Sequence, residues 1–252
     1  DSIEELTRIA TISVGDEELG KIVADMVWKT GKNGVVDVIE GNLDIETEVT
    51  MGMRFNAKIP AKSFITDPEK RKMIVDDVPI LITNHVLDNP GDLVKIWPTL
   101  DTQKLVIIAP DFSEGFLISM TLSMKSGAFI YPVRCPSLET EDFDDIALYT
   151  GANFINKDKG GRISAVTVND LGMIERIIVS EIEREAVLLG GLGDTAERIE
   201  MITRQIETET FEPRKNKMKR RLASLAAGIG IIRVGAMTDS QRIFLKHKIE
   251  DA

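Results

Sequence analysis

The chain has 252 residues, 43% of them hydrophobic and 29% charged, which excludes a disordered polyelectrolyte and allows one large domain or two small ones. Its net charge of −10 speaks against a nucleic-acid binder, whose partner is held by clustered Lys and Arg. A single cysteine, Cys135, excludes an intramolecular disulfide and points to the cytoplasm or an equivalent reducing compartment, while two histidines leave no Cys/His zinc cluster and no apolar run can cross a bilayer.

No charged-then-apolar leader opens the chain, and its start at Asp1 rather than Met leads us to expect a piece of something longer. The first predicted helix is capped by Asp16, carries Leu19, Ile22, Val23, Met26 and Val27 at helical spacing, and stops at Gly31. Turn residues 31–34 lead into a strand at Val35–Ile39, and alternation over Leu43–Val49 predicts a second, running up to Gly52. Val78–Thr83 is a continuous apolar run suited to a strand covered on both faces. A short helix from Asp92 follows, with Leu93, Ile96, Trp97 and Leu100 on one side. Then come a strand at Leu105–Ala109, a helix at Glu114–Lys125, a strand at Ala128–Val133 and a helix over Asp142–Gly151. Two more strands are predicted at Ile174–Ser180 and Ala186–Leu189.

The last third reads differently. Asp194 with Glu197 makes a capping signal for a helix through Ile206, and Pro213 suits the first turn of a second helix. The basic run Arg214, Lys215, Lys217, Lys219, Arg220 and Arg221 reads as a solvated face of that second helix. Gly228 and Gly230 break the pattern before a strand at Ile231–Val234 and a closing helix. Both ends of the chain therefore pair a helix with a short strand around a larger block bounded by Gly52 and Gly228, the pattern of one domain inserted into another.

Several stretches resemble the group I (GroEL-like) chaperonins, in the family's order. They are Thr11–Ser13 with Asp16-Glu17 and Gly20–Ile22, then Gly31–Val36, Thr50–Phe55, Phe64–Glu69 and Leu105–Asp111. Asp145–Gly151 and Asp170–Gly172 follow, and the clearest block is Arg204–Glu207, Leu222–Ala236, Thr238 and Ile249–Ala252. No single motif is specific, but the ordered set spans nearly the whole chain. The resemblance implies an α/β fold: a layered apical domain, residues 51–229, inserted between two segments, 1–50 and 230–252, of a small α/β intermediate domain.

The resemblance also implies a role. The family's apical domain grips non-native polypeptides in an apolar groove made by two helices and an extended segment. By position the groove falls on Ile59, Ala61, Ser63 and Phe64 in the segment, Trp97 and Leu100 in the first helix, and Leu117, Thr121 and Leu122 in the second. Gly52 and Gly228 match the family's hinges, and Asp251 its catalytic aspartate. The family's Gly-Asp-Gly-Thr-Thr phosphate loop is absent from this sequence, so ATP and Mg, a homo-oligomeric ring and a lid co-chaperonin are implied for a full-length chaperonin ATPase. This fragment alone is expected to bind no cofactor and to have no enzymatic activity, and neither nucleic acid nor membrane is implied as a partner.

Spacing alone weighs differently on the two helices. The stripe Leu93, Ile96, Trp97, Leu100 reads as core. In the second helix Leu117, Met120 and Met124 share a stripe while Ile118 and Leu122 point elsewhere, more apolar surface than one buried face uses. Ile59, Ser63 and Thr121 depart from the family's usual residues, Pro60 and Lys62 alter the segment, and Glu139, Glu141, Asp142, Asp144 and Asp145 form a strongly acidic run; a shallower, more polar groove is expected.

A rival reading is a dinucleotide-dependent enzyme. The strand at 186–189 followed by Gly191-Leu-Gly193-Asp-Thr-Ala196 and a helix fits G-x-G-x-x-A. Against it, Asp194 and Glu197 put negative charge where a pyrophosphate would sit, and the helix leads into another helix instead of a parallel strand. Cys135, beside Pro136 and far in sequence from either histidine, reads as a small packed hydrophobe.

Overall fold

The computed structural model describes residues 2–30, 35–41, 44–100 and 102–250. It is a mixed α/β structure whose chain divides into two compact units: Asp1–Met51 with Ala227–Ala252, and Gly52–Ala226.

The first unit begins with a helix that the sequence reading passed over. Helix α1 (Ile3–Val14) has a capping box, Ser2 accepting from the Glu5 amide and Glu5 accepting from the Ser2 amide, and it ends on Gly15 in the left-handed region (φ 69°). Helix α2 (Glu17–Thr30) starts as predicted, with Asp16 Oδ1 accepting from the amides of Glu18 (2.9 Å) and Leu19 (3.1 Å). The two helices cross tightly at Gly20, where a Cβ would lie 2.4 Å from Thr11 Oγ1, so no larger residue fits without moving α1. Strand β1 (Val35–Glu40) pairs in parallel with β8 (Ala227–Val234), and α7 (Asp239–Glu250) follows β8. Gly228 and Gly230 lie inside β8 and do not interrupt it. Gly230 keeps its place in the register, opposite Val36, because glycine retains the backbone N–H and C=O that the ladder uses. Val14, Val23, Met26, Ile232, Val234 and Ile249 form the core of this unit.

Strand β2 (Ile45–Asn56) begins in the first unit and continues into the second, where residues 52–56 pair antiparallel with β7 (Glu185–Leu189). The sheet of the second unit runs β2, β7, β6 (Gly172–Ser180), β3 (Lys72–Ile82), β4 (Lys104–Ala109), β5 (Phe129–Arg134). The β3–β4–β5 portion is parallel and the β2–β7–β6–β3 portion antiparallel. Parallel strands are covered on both faces, and β4 shows this directly, with Leu105 to Ala109 all fully buried. Helices α3 (Glu114–Lys125) and α4 (Thr140–Thr150) follow β4 and β5, and α5 (Ala196–Thr208) and α6 (Glu212–Leu225) form a helical pair after β7.

Three expectations change here. The helix expected from Asp92 is two 3-10 turns, Pro90–Leu93 and Trp97–Thr99; Pro98 cannot donate a helical hydrogen bond and disfavours the α conformation at Trp97 before it. The capping box expected at Asp194 and Glu197 is not formed: Thr195 occupies the cap, and Asp194 accepts only from the Ala196 amide. The basic run on α6 is only partly a solvated face. Lys217 and Arg221 are drawn onto α4, leaving Lys219 and Arg220 exposed.

Candidate functional site

Helix α3 is apolar on more than one side. Ser113 caps it by accepting from the Phe116 amide (3.2 Å), which sets where the helix starts. Phe116 and Met120 are buried and Leu117 and Met124 are partly buried against the core. Ile118 and Leu122, one turn apart, are left 54% and 56% exposed. The helix's small polar side chains bond to its own carbonyls: Ser119 to Gly115, Thr121 to Leu117 and Ser123 to Ser119. Their protons are thus spent within the helix.

The segment before β3 lies against this helix. Lys58 exchanges two backbone hydrogen bonds with Arg134 at the end of β5, of 2.8 and 3.0 Å. Farther along, Ser63 Oγ meets Thr121 Oγ1 at 3.0 Å. Ile59 and Ala61 are half-buried on the core, whereas Ser63 is exposed.

The nine positions expected to form the groove therefore separate. Ser63 and Thr121 touch, Leu122 is exposed, and Ile59, Ala61, Trp97 and Leu117 are half-buried around the same core. Phe64 at 0% and Leu100 at 5% exposure are core residues and offer no surface to a partner; Phe64 is held down by the 3-10 turn Lys62–Phe64, and Leu100 by the turn ahead of β4. Ile118, whose departure from the Leu117–Met120–Met124 stripe was read from spacing, was not among the expected groove positions and is exposed beside Leu122. Asp251 lies outside the described residues. Gly52, in β2 opposite Leu189, is the first residue of the second unit, and Gly228, in β8, belongs to the first; neither has a positive φ.

The acidic run does not face this surface as a polar rim. Asp145, 1% exposed, accepts from Arg198 Nη1 (2.5 Å) and from Arg221 Nε and Nη2 (2.7 and 2.8 Å). Asp144 accepts from Arg198 Nη2, and Glu139 and Glu141 share Lys217, whose ammonium is held above its usual range chiefly by the hydrogen bond to Glu139. Burial, the largest influence on Asp142, pushes its carboxyl upward. The run thus binds α4 to α5 and α6, a structural use of charge.

Near it lies a shallow cleft of about 640 Å3 at the carboxyl ends of β3 and β4, lined by Asn84, Pro110, Glu139, Glu141, Phe143 and Asp158 among others. Asn84 there is already bonded to Asn156, Asp158 and the Lys157 amide, and the two glutamates hold Lys217. No expected groove residue lines it.

The glycine-rich turn before α5 is occupied by protein. A Cβ on Gly193 would lie 1.6 Å from the Leu148 carbonyl oxygen, and one on Gly191 would lie 2.3 Å from that of Tyr149. The Gly193 amide donates to Tyr149 O at 3.0 Å, so the glycines let this turn pack on the end of α4. Strand β7 is antiparallel to both its neighbours, which no βαβ nucleotide unit permits. Among the described residues no three His, Cys, Asp or Glu side chains converge as metal ligands. Burial likewise pushes the Cys135 thiol far up, which suits a packed, unreactive side chain. Among the described residues no helix is long and apolar enough to cross a membrane. No protein-family model matches the chain.

Proposed function

We propose that the chain is the polypeptide-binding part of a GroEL-like chaperonin, with residues 52–226 the apical domain inserted between two segments of an intermediate domain. The observation that carries this reading is α3: both its stripes are apolar, one is used by the core, and the other leaves Ile118 and Leu122 open to solvent. A non-native chain presents no fixed sequence, and burial of apolar area is the force that can hold it without reading one. On this reading Gly52 and Gly228 are the pivots between the domains. Asp251, ATP with Mg, a homo-oligomeric ring and a lid co-chaperonin belong to a longer chain carrying a phosphate loop.

The test is the double variant Ile118→Ser with Leu122→Ser. Both side chains are about half exposed, so stability should change little, by about 0.5 kcal/mol per site. A captured client covers what remains exposed, about half of the roughly 1.5–3 kcal/mol that full burial of each is worth, so binding of a chemically unfolded client should weaken about ten- to a hundred-fold. Undiminished capture with an unchanged melting temperature removes α3 as the binding surface.

A further inference from the structure

The hydroxyl pair between the extended segment and α3 has a direction. Thr121 has one proton and two contacts, the Leu117 carbonyl oxygen at 3.0 Å and Ser63 Oγ at 3.0 Å. Both are satisfied together when Thr121 donates to Leu117 O and Ser63 donates to Thr121 Oγ1. That arrangement consumes the Ser63 proton and leaves its oxygen lone pairs on an exposed side chain. Thr121 lies one helical turn from the half-buried Leu117 and the exposed Ile118, so the Ser63 oxygen meets α3 on the side of the helix that carries Ile118.

We infer that Ser63 is a specificity determinant of this surface. It selects extended segments that bring a free backbone N–H beside two apolar side chains, over segments whose amides are already bonded. The inference rests on the polypeptide-binding reading of α3. Its basis is electrostatic complementarity: an oriented acceptor next to an apolar strip suits a donor flanked by apolar groups, and the backbone amide of an unfolded chain is the donor every client carries. A helical segment carries the same apolar side chains but has used its amides internally.

The experiment compares two fluorescein-labelled apolar peptides of identical side-chain sequence, one of them N-methylated on its central amides, by fluorescence anisotropy on the wild-type chain, Ser63→Ala and Thr121→Val. The wild type is expected to prefer the unmethylated peptide about three- to ten-fold, the range of one net hydrogen bond. Ser63→Ala should bind the methylated peptide as the wild type does and lose the preference. Thr121→Val should keep part of it, because Ser63 Oγ still accepts but is no longer oriented. The inference fails if the wild type binds both peptides equally, or if Ser63→Ala keeps the full preference. Those outcomes leave the apolar surface intact as a binding site. If neither peptide binds the wild type, or if Ile118→Ser with Leu122→Ser does not weaken either, the polypeptide-binding reading falls, and the inference with it.

Discussion

Replacing Asp145 by Ala discriminates sharply between two uses of the acidic run. Were that run a solvated surface, removing one carboxylate would shift stability by no more than about 0.5 kcal/mol. In the structure Asp145 is 1% exposed and receives three hydrogen bonds from two guanidiniums whose side chains are themselves only 21% (Arg198) and 13% (Arg221) exposed. Its loss strands two cations in a poorly hydrated place, and breaking a buried pair from one side costs about 3–5 kcal/mol. Asp144 still accepts from Arg198, so the lower half of that range is expected. For a unit in the 150–250-residue size class each kcal/mol lowers the melting temperature by about 2–4 °C, so calorimetry should show a fall of about 6–16 °C. The triple replacement Asp145→Leu, Arg198→Met, Arg221→Leu removes all three charges and should recover most of the loss, since apolar side chains of similar volume replace such clusters with little penalty. A fall of less than about 3 °C in Asp145→Ala, or no recovery in the triple variant, refutes the reasoning.

Two other outcomes follow from the packing. Gly193→Ala should lower stability by more than about 2 kcal/mol by denaturant titration, because its Cβ meets a backbone oxygen that cannot swing away; a phosphate-cradling glycine would instead show near-normal stability. Cys135, fully buried with its thiol pushed upward by burial, should resist iodoacetamide in the native chain while the denatured chain alkylates readily, and equal rates by intact mass would contradict the burial.

Local chemistry made much of the fold legible. Asp16 marked the start of α2, and the apolar runs of β4 and β5 located strands whose burial on both faces leaves no other reading. Helix α1 was equally legible through Ser2, Glu5 and Gly15, and was passed over because its exposed Ile9 and Ile12 blur the apolar stripe. The 3-10 turns at 90–99 show the opposite failure: the stripe Leu93, Ile96, Leu100 is buried as spacing implied, but Pro98 decides the backbone, so right burial coexisted with the wrong helix.

The site was legible only to the level of a helix, and the reason is geometric. In α3 nearly every non-polar position could have been core, and sequence periodicity cannot rank two apolar stripes that differ by one residue in phase. Ser113, next to the helix, sets its start, but Ser63, 58 positions before Thr121, meets it from far away in the chain. The acidic and basic runs follow the same logic, for Asp145 and Arg221 are 76 positions apart and each alone reads as solvated. Once α4 and α6 are brought together their charges cancel locally. The surface that remains for a partner on α3 is then set by what the core does not consume, Ile118 and Leu122.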